Sequence, residues 1–246
     1  MRSKQLGGSR VWTAGSGPTV VVVHGGPGFN HKYLTRSLLP LSPHFRLVFY
    51  DQRSRGAISP ASLTEQLRKI LVAAAVDGPP AVLAHSWGTY LAFACLTVPD
   101  SPAVRGAVLV SPVPLTLNGF NRAGARFKRS LPEPAPTEIK ELFPYYLAKQ
   151  NRGKRSIAIP QFDAAAYGTV LADLQRSSYD FRRASRFLPE DTHFVFGRQD
   201  CLSEPSDFRG ISRKVSFTTI SGAAHFAFAE QPEGFRRLVV RAFKDQ

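Results

Sequence analysis

The chain has 246 residues, 43% hydrophobic and 20% charged, with 18 Phe. That suits one α/β domain with a substantial core and excludes a disordered or collagen-like polymer. Its 32 Lys and Arg against 18 Asp and Glu give a net charge of +14. Such a field attracts nucleic acid, anionic lipid or acidic substrates, although Arg outnumbers Lys 23 to 9, as compositional bias alone produces.

Residues 1–8 are basic but lack the apolar core of a signal peptide. No apolar run approaches the roughly 20 residues of a membrane-spanning helix. Cys95 and Cys201 are too few for a disulfide framework and suit a reducing compartment. These features predict a cytoplasmic protein with no membrane partner. The β-branched run Thr19–Val23 predicts a buried strand, ending at the loop His24-Gly-Gly-Pro-Gly28. A second strand is predicted over 45–50, ending at Asp51-Gln-Arg53. Ser62-Leu-Thr-Glu65 has the form of a capping box, with Leu67, Ile70, Leu71 and Ala74 following at helical spacing. A third strand, 81–84, turns at His85-Ser86-Trp87-Gly88 into a helical stretch over 89–98. Further strands are predicted over 104–110, 192–196 and 215–220, and a last helix carries Phe235, Leu238, Val239, Ala242 and Phe243 on one face. Strands alternating with helices predict a mostly parallel sheet with helices on both sides. Between them, the proline-rich residues 111–189 predict an inserted helical cap over the C-terminal edge of the sheet. The core is then 1–110 and 190–246.

Ser86 lies between an apolar strand and a helix, with small residues two before and two after it, Ala84 and Gly88. That is the setting of a nucleophile elbow; a serine capping a helix is the plainer explanation of the string taken alone. A serine hydroxyl needs a base to take its proton. Asp200 follows the fifth predicted strand and His225 the sixth, in the order serine, acid, histidine. All three fall at one sheet edge, with Asp200 set to orient His225. The N–H groups of Gly26 and Trp87 are candidates for an oxyanion hole. The glycine loop has no Gly-x-Gly-x-x-Gly or Lys-Ser/Thr pair, so phosphate binding is disfavoured. No spacing suggests metal ligands, and no cofactor is expected.

These residues resemble an α/β-hydrolase and, within that superfamily, the proline iminopeptidase group of serine peptidases. The matches are His24-Gly-Gly-Pro-Gly28, Asp51-Gln-Arg53 with Gly56, Ser86-Trp-Gly88, and Gly197-Arg-Gln-Asp200 followed by His225. The resemblance implies an α/β-hydrolase fold with Ser86 as nucleophile, Asp200 and His225 as its partners, and an oxyanion hole from Gly26 and Trp87. It departs from the group at Ala84 and His85, at Ser54-Arg55, and in a short cap. In the group, cap carboxylates hold the substrate's free amine. Here residues 111–189 hold thirteen Lys and Arg against six acids.

A basic lid disfavours an ammonium and favours carboxylate or phosphate. The expected partner is therefore a small acyl substrate, anionic or carrier-bound, with Arg152, Lys154 and Arg155 beside His24 and His85 as candidate substrate contacts. A solvated basic face explains the same charges. The leading expectation is a cofactor-independent serine hydrolase of an ester, thioester or amide. Alternatives are an aminopeptidase like the resembled group, a non-hydrolytic tailoring or cyclising enzyme on the same fold, and a ligand-binding protein on a hydrolase scaffold. No recognisable module supports nucleic-acid binding.

Overall fold

Five largely apolar runs are buried along almost their whole length, as strands covered on both faces must be. In the computed structural model, which describes residues 1–154, 157–211 and 215–244, they lie at the centre of an eight-stranded sheet. The chain starts with β1 (Arg2–Leu6) and β2 (Ser9–Ala14), then β3 (Thr19–Val23), α1 (Lys32–Leu38), β4 (Arg46–Tyr50) and α2 (Pro60–Ala74). It continues through β5 (Ala81–His85), α3 (Trp87–Leu96) and β6 (Gly106–Val110). Next come α4 (Leu117–Arg129), α5 (Ile139–Leu142) and α6 (Ala164–Arg176), followed by β7 (Thr192–Gly197), β8 (Ser216–Ile220), α7 (Ala227–Glu230) and α8 (Pro232–Lys244).

The strand order is β1-β2-β4-β3-β5-β6-β7-β8. Strands β3 to β8 run parallel, and β1 and β2 add an antiparallel hairpin beside β4. All six predicted strands are present within one or two residues. The hairpin has no counterpart among the predicted elements: Arg2–Leu6 is polar and exposed along most of its length, as an edge strand is. The start of α2 also differs from expectation. Ser59 is its N-cap, closed reciprocally with Ser62, and Pro60 opens the helix. Ser62 is thus the partner within the cap rather than the cap itself.

Two apolar clusters fill the two faces of the sheet. One joins α2 and α3 to the sheet through Leu67, Leu71, Leu91 and Phe93. The other joins α1 and α8 to it through Leu34, Leu38, Phe235 and Val239. Because β3 to β8 are parallel, the loops after β3, β5, β7 and β8 all emerge at one edge. Among the described residues, 111–189 hold three α-helices, short 3-10 turns and no strand of the sheet. They lie against these same loops: Asp163 N–H donates to Gly28 O at 2.8 Å, and His225 N–H donates to Tyr146 O at 3.0 Å.

Gly88 shows how closely strand and helix meet. A Cβ there would lie 2.5 Å from Val23 O and 2.7 Å from His24 O. Backbone cannot yield as a side chain can. Gly88→Ala is expected to cost about 1–3 kcal/mol, measured as a lower urea midpoint with an unchanged m-value.

Candidate active site

Ser86 occupies the single residue between β5 and α3, with φ 51° and ψ −123°. A non-glycine residue there stores about 1–3 kcal/mol of strain. The turn is held on both sides. Ser86 N–H donates to Val110 O at 2.9 Å, and Thr89 N–H donates to Ser86 O at 2.8 Å. Gly25 lies alongside, where a Cβ would stand 3.1 Å from Ser86 Cβ.

The turn delivers the hydroxyl to an imidazole. Ser86 Oγ is 2.8 Å from His225 Nε2, across 139 residues of chain. On the far side of the ring, Nδ1 is 2.9 Å from Asp200 Oδ2. With Nδ1–H donating to the carboxylate, Nε2 is left to accept the serine proton. Asp200 is held in turn: its Oδ1 accepts from Leu202 N–H at 2.9 Å. His225 and Asp200 are both buried. Among the described residues, neither the Gly26 nor the Trp87 N–H donates to another group of the chain. The strands expected to carry these residues do carry them, and the fold brings serine, histidine and aspartate together.

His24 and His85 have different surroundings. Both are buried, and both have their ring nitrogens taken. His24 Nε2 accepts from Gln52 N–H at 3.0 Å, and its Nδ1 donates to Gly25 O at 2.7 Å. His85 Nε2 donates to His225 O at 2.9 Å, while its Nδ1 accepts from Tyr33 Oη at 2.7 Å. Tyr33 Oη in turn accepts from Gly25 N–H at 2.6 Å. A directed chain therefore runs from the glycine loop through Tyr33 and His85 to the backbone of His225. Burial lowers His24 to about 4 and pushes His85 well below the ordinary histidine value. Tyr33, Ser111 and Glu230, which all bind this loop region, do not stand out in the sequence; each is a lone polar residue with no spacing to mark it.

Among the described residues, the basic side chains of the insertion are exposed, except Arg126. Arg152 is exposed and stacks 4.7 Å over Tyr145, and Lys154 is exposed. Neither makes a contact with Ser86, Asp200 or His225 among the interactions of the described residues, and Arg155 lies outside the described residues. Arg126 is taken up structurally. Its guanidinium binds Cys201 O at 3.0 Å and both oxygens of Asp207, tying α4 to the loop that carries Asp200. Cys201 has its thiol pushed up, chiefly by burial, which works against the thiolate form. Among the described residues no cluster of His, Cys, Asp or Glu could hold a metal ion, and no helix is long and apolar enough to cross a membrane.

A serine on a strained strand-to-helix turn, followed in the chain by an acid and then a histidine at the same sheet edge, defines the α/β-hydrolase class. Residues 20–238 match the model of the alpha/beta hydrolase family, and the chain belongs to that family. It resembles the proline iminopeptidase group within it. A proline iminopeptidase of Heyndrickxia coagulans is 36% identical over 108 residues, 40% of this chain and 36% of that protein. The match thus spans little more than a third of that relative's length. Among solved structures, a proline iminopeptidase-related protein of Thermus thermophilus superposes with a TM-score of 0.76 at 24% identity, covering 99% of this chain and 98% of that one. A thermophilic esterase of Thermogutta terrifontis gives 0.74 at 17% identity, covering 100% and 99%. An E-2-(acetamidomethylene)succinate hydrolase gives 0.70 at 19%, again covering 100% and 99%.

The two buried imidazoles set an acid limit on stability. They are neutral in the folded chain and take up protons on unfolding. Their contribution is complete above the ordinary histidine value of 6.5 and is lost as pH falls toward about 4 at His24. At His24 the loss runs at roughly 1 kcal/mol per pH unit across that window, and His85, also lowered chiefly by burial, adds to it in the same direction. Urea midpoints are expected to fall steadily from about pH 7 to about pH 5; a flat profile contradicts this.

Proposed function

We propose that the protein is a serine hydrolase that cleaves an ester, thioester or amide of a small acyl substrate without a cofactor. The observation that carries this reading is the unbroken series from Ser86 Oγ to His225 Nε2 and from His225 Nδ1 to Asp200, at 2.8 and 2.9 Å. Ser86 Oγ attacks the substrate carbonyl carbon as its proton passes to His225 Nε2. Asp200 keeps the ring in the orientation that receives it and stabilises the imidazolium. The Trp87 and Gly26 N–H groups stabilise the negative oxygen that forms. His225 returns the proton to the departing alcohol, thiol or amine, leaving an acyl-enzyme. Water then attacks, again losing its proton to His225, and Ser86 is regenerated as the acid departs.

Residues 111–189 serve as the cap in this reading, and the protein acts in the cytoplasm on a small molecule rather than on nucleic acid or a membrane. The excess of base in the cap supports an anionic or carrier-bound acyl substrate. Three of the six cap acids are committed locally. Asp163 caps α6, Asp173 pairs with Arg176, and Asp180 pairs with Arg182. The other three, Glu133, Glu138 and Glu141, stand among thirteen Lys and Arg, a surplus of base that disfavours a substrate amine. A second reading, an aminopeptidase, draws on the proline iminopeptidase similarity.

A fluorophosphonate reagent, which phosphorylates activated serines, is expected to label the wild type and not Ser86→Ala. Equal labelling refutes the assignment. Hydrolysis of aminoacyl amides, short esters and acyl thioesters separates the two readings, with esters or thioesters expected to lead. Reversing charge at Arg152 and Lys154 is expected to lower kcat/KM for carboxylated acyl esters and leave neutral esters unchanged. An equal effect on both removes the support for an anionic substrate.

A further inference from the structure

The base of the triad is held by a carboxylate that takes no part in the steps above. Glu230 ends α7 and is 6% exposed. Its Oε1 accepts from Ala224 N–H at 2.8 Å and from Phe226 N–H at 3.3 Å. Those peptides stand immediately before and after His225. Its Oε2 accepts from Ala148 N–H at 2.7 Å and from Asn151 Nδ2 at 2.9 Å, both in the inserted segment. One buried group thus grips both sides of His225 with one oxygen and the insertion with the other.

The surrounding bonds complete a frame. Asn151 Nδ2 also donates to Gly222 O at 2.9 Å. The His225 N–H donates to Tyr146 O at 3.0 Å, and His225 O accepts from His85 Nε2 and, at 3.0 Å, from Ser111 Oγ. Every backbone polar group of His225 is therefore engaged, and its two neighbours are tied through Glu230.

We propose that Glu230 is a positioning residue that sets the place of the His225 imidazole by locking its loop to residues 146–151. The proposal rests on the reading of Ser86, His225 and Asp200 as the reacting residues. Its chemistry is specific. All four neighbours are donors, and only a carboxylate offers two oxygens with no proton to spare. A glutamine of the same shape turns an N–H₂ toward one pair of N–H groups, so either the His225 loop or the insertion loses its anchor. Small displacements of a reacting group carry large rate losses, about a hundredfold for an ångström.

The test uses the full chain and a fluorophosphonate, with thermal unfolding and the low-field proton resonance of the His225–Asp200 hydrogen bond read on the same samples. Glu230→Gln is expected to unfold cooperatively and to label at least about tenfold more slowly. The reagent concentration for half-maximal rate stays unchanged, and the low-field resonance shifts or is lost. A variant that is less stable yet labels at the wild-type rate with its resonance intact overturns the proposal and leaves Glu230 a purely structural group. Should Glu230→Gln fail to fold, Asn151→Ala removes one donor and keeps the carboxylate. Several-fold slower labelling is expected there, and wild-type labelling overturns the proposal. Ser86→Ala run in parallel separates the two readings. If it labels like the wild type, the triad assignment itself fails, whatever Glu230 does.

Discussion

Ser86 stands in a backbone conformation that a residue with a Cβ avoids, and the strain is tolerated because the neighbourhood leaves no alternative. Gly88 brings α3 against the ends of β3, where no side chain fits. Gly25 leaves room beside the serine for its own Cβ. Val110 and Thr89 take the two backbone groups of Ser86. If the turn relaxes, the hydroxyl leaves the imidazole. The bond from Ser86 Oγ to His225 Nε2, made across 139 residues of chain, holds only while the serine faces outward.

The inserted segment is bound to the same edge at several points. Asp163 meets the glycine loop, and Phe162 packs edge-on against Phe29 at 5.7 Å. Arg126 reaches the loop of Asp200, and Lys149 N–H donates to Gln199 Oε1 at 3.1 Å. Residues 146–151 reach the loop of His225. These ties spread along the segment, so it is braced against the loops rather than hinged over them at one end.

Much of this is legible in the sequence. The central strands are continuous apolar runs, so their number, order of appearance and edge are readable, and with them Ser86, Asp200 and His225. The N-terminal hairpin is not, because Arg2–Leu6 is polar and solvent-facing and carries no buried stripe to betray a strand. The start of α2 is misread from sequence because Ser59 and Ser62 are alike in type, and only geometry says which one caps. His24 and His85 read as loop histidines free to meet a substrate. Burial and full hydrogen bonding make them internal struts, a distinction that residue type does not encode. Glu230 is invisible for the converse reason: it joins two donors beside His225 to two others, at Ala148 and Asn151, that lie 82 and 79 residues away in the chain.

The chain order of the site bears on biosynthesis. The glycine loop, Ser86 and the strands around them all precede residue 111, whereas Asp200 and His225 arrive with β7 and β8. A nascent chain still emerging from the ribosome can place Ser86 on its turn long before Asp200 and His225 are made. The hydrogen-bonded series from Ser86 through His225 to Asp200 therefore closes only when the last two strands join the edge of the sheet.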